Sequence, residues 1–517
     1  MTSRFDVIIV GAGHNGLVAS VLLARAGLQV LVLEDKALVG GAAKTEYPFA
    51  KAPGLGISSG AYLLGLMPPE LMTELGLELK LLRRDPHYFL PTTGDKYLLF
   101  GSDQAAMQDQ FLRFFSEADW RAHLALNDEL GRLRDDLAPA WLTEPDSVEE
   151  TAEKYIRKDL REHFVALCRG TARAYLERFG FASDLVKAMY AVTDAFSGLD
   201  GGYDTPGTGM NLLVHNMCRL PNSGGTWMIV EGGMGTITQK LATLARAAGA
   251  QIETSATVDR IEVTSGKIAG VELADGRRFQ SSVVLSNADP FRTVATVGRN
   301  RFSAEYLVRL DRMKQDGTTF KLNLCLSKLP TFRCLPQDRG QFGPTIHLLP
   351  EEDRVIGDLA RAYADVQAGK LPEFPSIEWY IHSSIDPTLQ DAEHRHNAAL
   401  FVQWVPYELE GTTWEKEEAR YAEHLLSICD RFAPGTSSLV VDTFALSPPK
   451  IEKHFGITRG HIHHIDNKLG FDERHPYAYP IDGLYSCSAG CHPAGSVIGA
   501  SGHNAAKRIL RDMNVAR

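Results

Sequence analysis

An α/β fold built on a parallel sheet is the fold class that this sequence predicts, and three glycine-bearing stretches support the prediction. They lie at residues 7–16, 230–263 and 482–510, far apart in a chain of 517 residues. Each stretch joins a glycine-rich turn to a helical segment and to a short apolar run of the kind that forms a buried parallel strand. A chain of this length also has room for a second domain.

The first stretch has the pattern of a nucleotide-binding turn. Residues 5–10, FDVIIV, form an apolar strand, and Gly11, Gly13 and Gly16 follow as G-x-G-x-x-G before a helix. These glycines allow a tight turn, close approach of a pyrophosphate and close packing of the helix on the strand. The next predicted strand ends in Glu34, an acid that binds ribose hydroxyls and repels a 2′-phosphate. We therefore expect a Rossmann-type domain that binds FAD or NAD, and not NADP.

A second run of small residues favours FAD over NAD. Gly40, Gly41, Ala42 and Ala43 come soon after the ribose acid, so a further backbone segment is free to approach the same pyrophosphate. This segment resembles the glycine doublet of the glutathione-reductase-like flavoproteins, which implies an FAD-binding domain of that type. Many members have an arginine after the doublet, whereas this chain has Ala42, and Lys44 is the nearest cation.

Two distant segments resemble the parts of that superfamily that return to the cofactor. The stretch 230–263 has a glycine turn, an amphipathic helix and strands, and the resemblance implies that Val258 lies near the adenine. It continues into a hairpin that we predict to turn at Asp275–Gly276. The stretch 482–510 combines a strand, a glycine-rich turn and a helix beginning near Val497, whose positive end would face the flavin. The residues predicted to contact FAD are Gly11, Ala12, Gly13, Asn15, Gly16, Glu34, Asp35, Gly40, Gly41, Ala42, Ala43, Val258, Gly490, Val497 and Ile498.

Together the three segments resemble the phytoene-dehydrogenase-like branch of FAD-dependent oxidoreductases. Within it, residues 60–91 resemble the subgroup named pyridine nucleotide-disulfide oxidoreductase domain-containing protein 2. The resemblance implies an enzyme, a dehydrogenase or desaturase, that moves a hydride from a C–H bond of an apolar, isoprenoid-like or lipid-like substrate to flavin N5. An amine or specialised-metabolite oxidase, a reduced-flavin isomerase or saturase, and a non-catalytic flavin-bearing scaffold stay open as alternatives. Oxygen and a quinone stay open as electron acceptors.

We predict two domains whose segments alternate along the chain. The FAD-binding domain takes residues 1–100, 226–300 and 451–517, and an α+β substrate domain takes 101–225, mainly helical, and 301–450, mainly sheet. The apolar side chains of the substrate domain are expected to form a mostly apolar pocket over the flavin. Within that domain we predict helices over 110–130 and 149–170, a loop at 207–212, and strands over 321–329, 376–384 and 398–407.

A few polar residues are candidates for the chemistry. By resemblance His492 lies near the flavin and is the candidate catalytic residue, while Ser59, Tyr62 and His463 are candidate substrate contacts. We predict no metal site, because the histidines of residues 459–466 lack a further identifiable ligand.

Composition excludes some classes of partner. The net charge of −10 and the pI of about 6.0 argue against nucleic acid, which requires clustered Lys and Arg. The seven cysteines contain no Cys-x-x-Cys pair, and neither a secretory signal nor a spanning stretch of about 18 apolar residues is recognisable, so we expect a cytoplasmic protein. Phe111 and Trp120 belong to an apolar stripe that we interpret as core-facing; contact with a membrane surface stays open.

Overall fold

The structure, a computed structural model, describes residues 3–515 and contains four β-sheets in that part of the chain. Its strands are β1 (Ser3–Arg4), β2 (Val7–Val10), β3 (Val30–Leu33), β4 (Leu81–Leu82), β5 (Tyr88–Pro91), β6 (Tyr97–Phe100), β7 (Ile229–Val230), β8 (Gln251–Glu253), β9 (Val258–Thr264), β10 (Lys267–Leu273), β11 (Arg278–Gln280), β12 (Val284–Ser286), β13 (Thr319–Leu326), β14 (Thr345–Leu348), β15 (Ser376–Tyr380), β16 (His396–Gln403), β17 (Val440–Leu446) and β18 (Leu484–Ser486).

The helices are interspersed with the strands of all four sheets along the chain. They are α1 (His14–Arg25), α2 (Pro69–Leu75), α3 (Gln104–Phe114), α4 (Glu117–Leu137), α5 (Val148–Tyr155), α6 (Arg161–Arg169), α7 (Ala172–Glu177), α8 (Asp184–Tyr190), α9 (Thr208–His215), α10 (Gly235–Ala247), α11 (Pro290–Val297), α12 (Ala304–Arg312), α13 (Val355–Gln367), α14 (Trp414–Phe432), α15 (Thr436–Leu439), α16 (Pro448–Phe455) and α17 (Ala500–Asp512). Short 3₁₀ turns occur at Ala138–Leu142, Lys158–Leu160, Arg299–Arg301, His382–Ser384, Pro387–Leu389 and Thr458–Gly460, and a π-helical turn at Ala191–Ala195.

A five-stranded parallel sheet, in the order β18-β12-β2-β3-β8, is the centre of the nucleotide-binding part. Strands β2 and β3 are almost completely buried, as their continuous apolar runs predict, and Val7 lies opposite Val30. Helix α1 packs between α10 and α17, and it ends at Arg25, shortly before Gly27 turns the chain at a φ of +87°. The predicted α/β fold class is confirmed.

A smaller sheet beside it, in the order β1-β11-β10-β9, contains the predicted hairpin. Strands β10 and β11 are antiparallel with Val271 opposite Phe279, and Gly276 occupies the turn at a φ of +85°. That conformation favours glycine because it has no Cβ.

A seven-stranded mixed sheet, in the order β17-β13-β16-β15-β14-β5-β6, forms the second half of the molecule. The strands predicted at 321–329, 376–384 and 398–407 correspond to β13, β15 and β16. Strands β5 and β6, which we placed in the first FAD-binding segment, also pair into this sheet, because Phe89 is buried in the same apolar cluster as Trp379. The sheet pairing therefore groups the β5–β6 hairpin with the substrate domain, whereas the predicted boundary at residue 100 groups it with the FAD-binding domain.

The two faces of this sheet differ sharply in polarity. One face is apolar and packs on α14, through residues such as Phe320, Leu322, Trp379, Leu400 and Leu425. The alternate positions of the same strands form what we call the polar face, although all of them are buried. Its members are Thr319, Lys321 and Asn323 on β13, Thr345 and His347 on β14, Ser376, Glu378 and Tyr380 on β15, and Asn397, Phe401 and Gln403 on β16.

The helical part covers α3 to α9 and departs from the sequence prediction at three places. The segment predicted at 110–130 is broken at Phe115, because the Ser116 side chain accepts the Asp119 backbone N–H and starts α4. The segment at 149–170 is likewise divided into α5 and α6. The loop predicted at 207–212 is wrong: α9 begins at Thr208, because Met210 and its apolar neighbours bury in the helical core.

The apolar stripe around α3 mostly faces inward. Phe111 and Trp120 are buried in the helical core, and Leu112 points to solvent. No helix in residues 3–515 is both long enough and apolar enough to cross a membrane.

The packing of α14 on the apolar face yields a stability prediction. Leu425 is fully buried there, whereas Leu112 is 51% exposed. We expect Leu425→Ala to lower the free energy of unfolding by about 2–5 kcal/mol, because it leaves a cavity in the core. The matched change Leu112→Ala should alter it by less than about 0.5 kcal/mol. Denaturant unfolding of both variants measures the difference; equal effects would contradict the assigned burial.

Candidate active site

One large cavity extends from the end of the parallel sheet to the polar face of the seven-stranded sheet. Its volume is about 360 Å³, within the ~300–1,000 Å³ of common ligand pockets. Gly11, Glu34 and Asn287 line it directly after the carboxyl ends of β2, β3 and β12. Open α/β sheets bind nucleotides at this edge, and the lining continues from it to the strands of the seven-stranded sheet.

The two glycine turns predicted to hold the pyrophosphate contact each other. The Gly40 backbone N–H donates to the Ala12 carbonyl over 2.9 Å, and Gly13 and Gly40 form a parallel β-bridge. A Cβ on Gly41 would lie 3.4 Å from the Gly13 Cα, and a Cβ on Gly16 would overlap the Gly11 carbonyl oxygen. Glycine at position 16 lets the helix approach the turn, and the close contact of the two turns fits a dinucleotide pyrophosphate.

Glu34 is positioned by the first glycine turn itself. Its carboxyl oxygens accept the Ala12 N–H over 2.8 Å and the Lys36 N–H over 3.0 Å. Burial raises the pKa of Glu34 to about 7, and a hydrogen bond with the neighbouring Asp35 adds to the rise. The remaining lone pairs of this carboxyl group face the cavity, where they fit ribose hydroxyl donors.

Most of the predicted FAD contacts line the cavity. These are Gly11, Gly13, Asn15, Glu34, Asp35, Gly40, Gly41, Ala42, Ala43, Val258 and Val497. The others lie just outside the lining: Ala12 binds Glu34, Gly16 packs on Gly11, Gly490 packs against Ile465, and Ile498 is buried in the helical core. Contact with FAD stays a prediction for all of these residues.

The cation after the doublet is engaged by a carboxylate. Lys44 Nζ lies 3.0 Å from Glu46 Oε1, and Ser59 Oγ donates to the same carboxylate. Burial alone would raise the pKa of Glu46, but hydrogen bonds from His454 and Ser59 and the charge of Lys44 lower it to about 2. Lys44 is therefore held by Glu46 at the cavity wall, and Ser59, a predicted substrate contact, is hydrogen-bonded to Glu46.

The other side of the cradle contains residues that sequence reasoning missed. Asn287 Nδ2 would lie 2.6 Å from a Cβ on Gly13, and Arg292 lines the cavity from α11. Both belong to the segment after β12, whose SNADP motif follows an apolar strand. That position was the available signal, since a third parallel strand ends at the same sheet edge.

The two predicted histidines have different surroundings. His463 lines the cavity and its Nε2 hydrogen-bonds the Ser197 carbonyl over 2.9 Å; burial lowers its pKa to about 3. His492 lies outside the lining, where its Nε2 hydrogen-bonds the Ala140 carbonyl over 3.0 Å and its ring meets Phe471 edge-on. Burial lowers the pKa of His492 to about 4, so it is a neutral hydrogen-bonding group there.

Beyond the cradle, the cavity ends in a buried polar compartment that we call the inner chamber. It is lined by Tyr62, Arg84, Tyr88, Thr193, Asp194, Lys321, Thr345, Glu378, Tyr380 and Phe401. The sequence analysis expected a mostly apolar pocket here. The lining of the whole cavity is mostly apolar, as expected, and this compartment is its polar part, because the apolar side chains of β13 to β16 point to α14 and the polar face looks into the cavity.

Glu378 is the central acid of the inner chamber. It accepts the Tyr380 hydroxyl over 2.5 Å and the Thr193 hydroxyl over 2.8 Å, and Tyr62 Oη lies 3.5 Å away. Thr193 also contacts His347 Nε2, which is 3.9 Å from Glu378. Burial raises the pKa of Glu378 to about 7, although these hydrogen bonds oppose the rise.

Two buried cations share the chamber with this acid. Lys321 Nζ donates to the Ser58 and Gly60 carbonyls over 2.7 and 2.6 Å, and burial lowers its pKa well below the ordinary value. Arg84, only 2% exposed, donates to the Trp227 carbonyl over 2.9 Å and to Thr345 Oγ1 over 2.8 Å. Buried cations of this kind are uncommon without a functional or structural role.

Aromatic rings surround one side of Glu378. The ring centroid of Tyr62 lies 4.3 Å from that of Tyr380 and 5.5 Å from that of Phe401. Lys321 Nζ sits 4.4 Å from the Tyr62 ring centre on another side. Tyr62, a predicted substrate contact, is therefore placed between the cradle and the inner chamber.

The chain belongs to the flavin-containing amine oxidoreductase family, whose family model matches residues 16–303. It is 33% identical to pyridine nucleotide-disulfide oxidoreductase domain-containing protein 2 of Mus musculus, over 99% of this chain and 94% of the relative. It is 23% identical to the phytoene desaturase (lycopene-forming) of Pseudescherichia vulneris, over 98% and 99% of the two chains. A solved putrescine oxidase bound to putrescine has the same fold, with a TM-score of 0.61 at 16% identity over the whole of both chains.

These comparisons confirm the resemblance stated from the sequence. The protein is an FAD-dependent oxidoreductase of this family, with the predicted FAD-binding fold. Gly13, Gly41 and Glu34 are the residues whose geometry best fits the dinucleotide. When bound, FAD supplies a two-electron acceptor, and the chain supplies its binding, orientation and electrostatics.

The close contact between Gly16 and Gly11 yields a test of the cradle. We expect Gly16→Ala to weaken FAD affinity at least about tenfold, or about 1.4 kcal/mol, because its Cβ would displace the turn. Gly357→Ala is the matched control: it lies in α13, with nothing within 4 Å of a Cβ, and should leave affinity unchanged. Flavin titration of the apoproteins measures both. Full FAD affinity in a folded Gly16→Ala protein would refute the cradle.

Proposed function

We propose that this protein is a dehydrogenase that removes a hydride from a C–H bond of a substrate with an apolar body and one polar group. One observation carries the proposal: a continuous cavity connects the FAD cradle to the inner chamber. A substrate placed there would meet the cofactor on one side and the polar face of the sheet on the other.

The rest of the cavity wall supports the apolar part of the substrate. Leu446, Ile451, Phe455, Ile457 and Ile462 line the same cavity and offer surface for a hydrocarbon body. The side chains of the inner chamber are largely buried, so a bound substrate would exclude water and strengthen polar contacts with the lining.

An amine oxidase is the second candidate, and a specific observation favours it. The rings of Tyr62, Tyr380 and Phe401 stand around Glu378, and aromatic rings beside an acid suit an amine. An amine that enters in its neutral form would satisfy the same proposal of hydride removal, with a different polar group.

Anaerobic substrate screening tests the proposed function. The protein should be yellow when purified, and a metabolite fraction that contains the substrate should bleach its flavin absorbance. The product mass should be lower by two hydrogens, which separates dehydrogenation from isomerisation and saturation. Return of the colour on admitting air identifies oxygen as electron acceptor; return only with an added quinone identifies a quinone.

Two results would contradict the proposal. Folded protein that stays colourless and cannot be reconstituted with FAD would show that the protein does not use FAD as its cofactor. A product of unchanged mass, or one that gains two hydrogens, would show that the reaction is not a dehydrogenation, while FAD would remain the cofactor.

A further inference from the structure

The inner chamber has hydrogen-bonding capacity that the protein leaves unused. Within residues 3–515, Arg84 uses Nε and Nη1 for oxygens of the chain, and no described atom accepts from its Nη2. Thr319 Oγ1, in a side chain that is 2% exposed and lines the cavity, also has no partner among the described residues. A buried polar atom is normally satisfied, so Thr319 Oγ1 points to a ligand with a polar group, and Arg84, which lines the same cavity, has donor capacity left for that ligand.

The charges of the chamber discriminate between ligand classes. The basic side chains of Arg84 and Lys321 and the acidic side chains of Glu378 and Asp194 are buried and line the same part of the cavity. An amine is mainly an ammonium ion at neutral pH, and that ion would approach the buried Arg84 guanidinium, which is unfavourable where water cannot screen the charges. A hydrocarbon would leave the donors of Arg84 without a partner. A neutral hydroxyl group has one donor and two acceptor positions, and so it suits an acid and a guanidinium together.

Building on the function proposed above, we propose that the substrate is a neutral alcohol whose hydroxyl donates to Glu378 and accepts from Arg84. The family name refers to amines, and the proposal departs from that class because of the buried Arg84 guanidinium. Glu378 would then be a catalytic residue, since it contacts the reacting hydroxyl group.

The chemistry balances as an alcohol oxidation. The O–H bond breaks and its proton passes to a Glu378 carboxylate oxygen, while the carbinol C–H bond breaks and its hydrogen leaves with two electrons to the oxidised flavin. The C–O bond becomes a carbonyl, so the product is a ketone or an aldehyde. The proton would stay on Glu378 until the product leaves the cavity and water enters.

The surroundings of Glu378 set the direction of the pH dependence. Burial raises the pKa of Glu378 to about 7, so the carboxylate that accepts a proton becomes more abundant as the pH rises through 7. The rate of flavin reduction by an alcohol should therefore increase over that range. The titratable or charged groups that face Glu378 are Tyr62, Arg84, Tyr88, Asp194, His347 and Tyr380.

A matched ligand panel tests the proposal on the holoprotein. The probes are cyclohexanol, cyclohexylamine and cyclohexene, followed by larger ring and open-chain alcohols, amines and alkenes with shared carbon skeletons. Binding is measured by calorimetry and by perturbation of the flavin absorbance, and reduction is followed anaerobically. We expect alcohols to bind at least about tenfold more tightly than their amine and alkene partners, and to bleach the flavin.

Two variants test whether Glu378 accepts a proton in the reaction or only supports the structure. Glu378→Gln should slow flavin reduction by the alcohol at least about 100-fold and remove its pH dependence, with a much smaller effect on binding. Glu452→Gln is the control: Glu452 also accepts a tyrosine hydroxyl, from Tyr407, but is outside the cavity lining, and its reduction rate should be unchanged. If Glu378→Gln does not fold, Tyr380→Phe serves instead and should move the pH midpoint upward, because a hydrogen bond to the carboxylate is lost.

The outcomes separate this inference from the proposed function. If an amine or an alkene bleaches the flavin and no alcohol does, the proposal of an alcohol substrate is wrong, whereas the proposal of a dehydrogenase still holds. An unchanged rate and pH profile in folded Glu378→Gln would overturn its role as proton acceptor. If no probe perturbs the flavin of yellow holoprotein, the alcohol inference is wrong as well. If the protein contains no flavin, the proposed function itself is wrong.

Discussion

Backbone contact between two glycine turns is the constraint on which the rest of the structure depends. The turn after β2 and the doublet at Gly40 and Gly41 approach closely enough for an N–H to carbonyl hydrogen bond, and a Cβ on Gly41 would touch the Gly13 Cα. This contact places Glu34 at the cradle and aligns the ends of three parallel strands. The inner chamber lines the same cavity as that cradle.

The seven-stranded sheet explains how a buried polar chamber is compatible with a stable fold. Its apolar face packs on α14 and provides the core, so the opposite face is free to carry polar groups. Burial of those groups costs free energy unless they are hydrogen-bonded. Glu378 and Lys321 meet that requirement through hydroxyl and carbonyl groups of neighbouring segments, and Arg84 meets it through Nε and Nη1. The cost is consistent with a site that is kept for binding and chemistry.

The cradle could be predicted from the sequence, and the chamber could not. Glycine at close backbone contacts and an acid at a strand end are local signals, so Gly13, Gly41 and Glu34 are recognisable in the printed chain. Glu378 and Arg84 come from separate segments that only the fold brings together. The alternation of polar and apolar residues in β13 and β15 was visible, but such alternation usually indicates a solvent-facing side. Helix breaks were also difficult, because the Ser116 cap lies inside an otherwise periodic stretch.

An experimental structure of the holoprotein with a bound alcohol tests the central claim most directly. The account predicts the FAD pyrophosphate against the glycine turns and the alcohol oxygen within hydrogen-bonding distance of both Glu378 and Arg84. An FAD bound elsewhere, or a chamber in which the alcohol oxygen contacts neither residue, would contradict it.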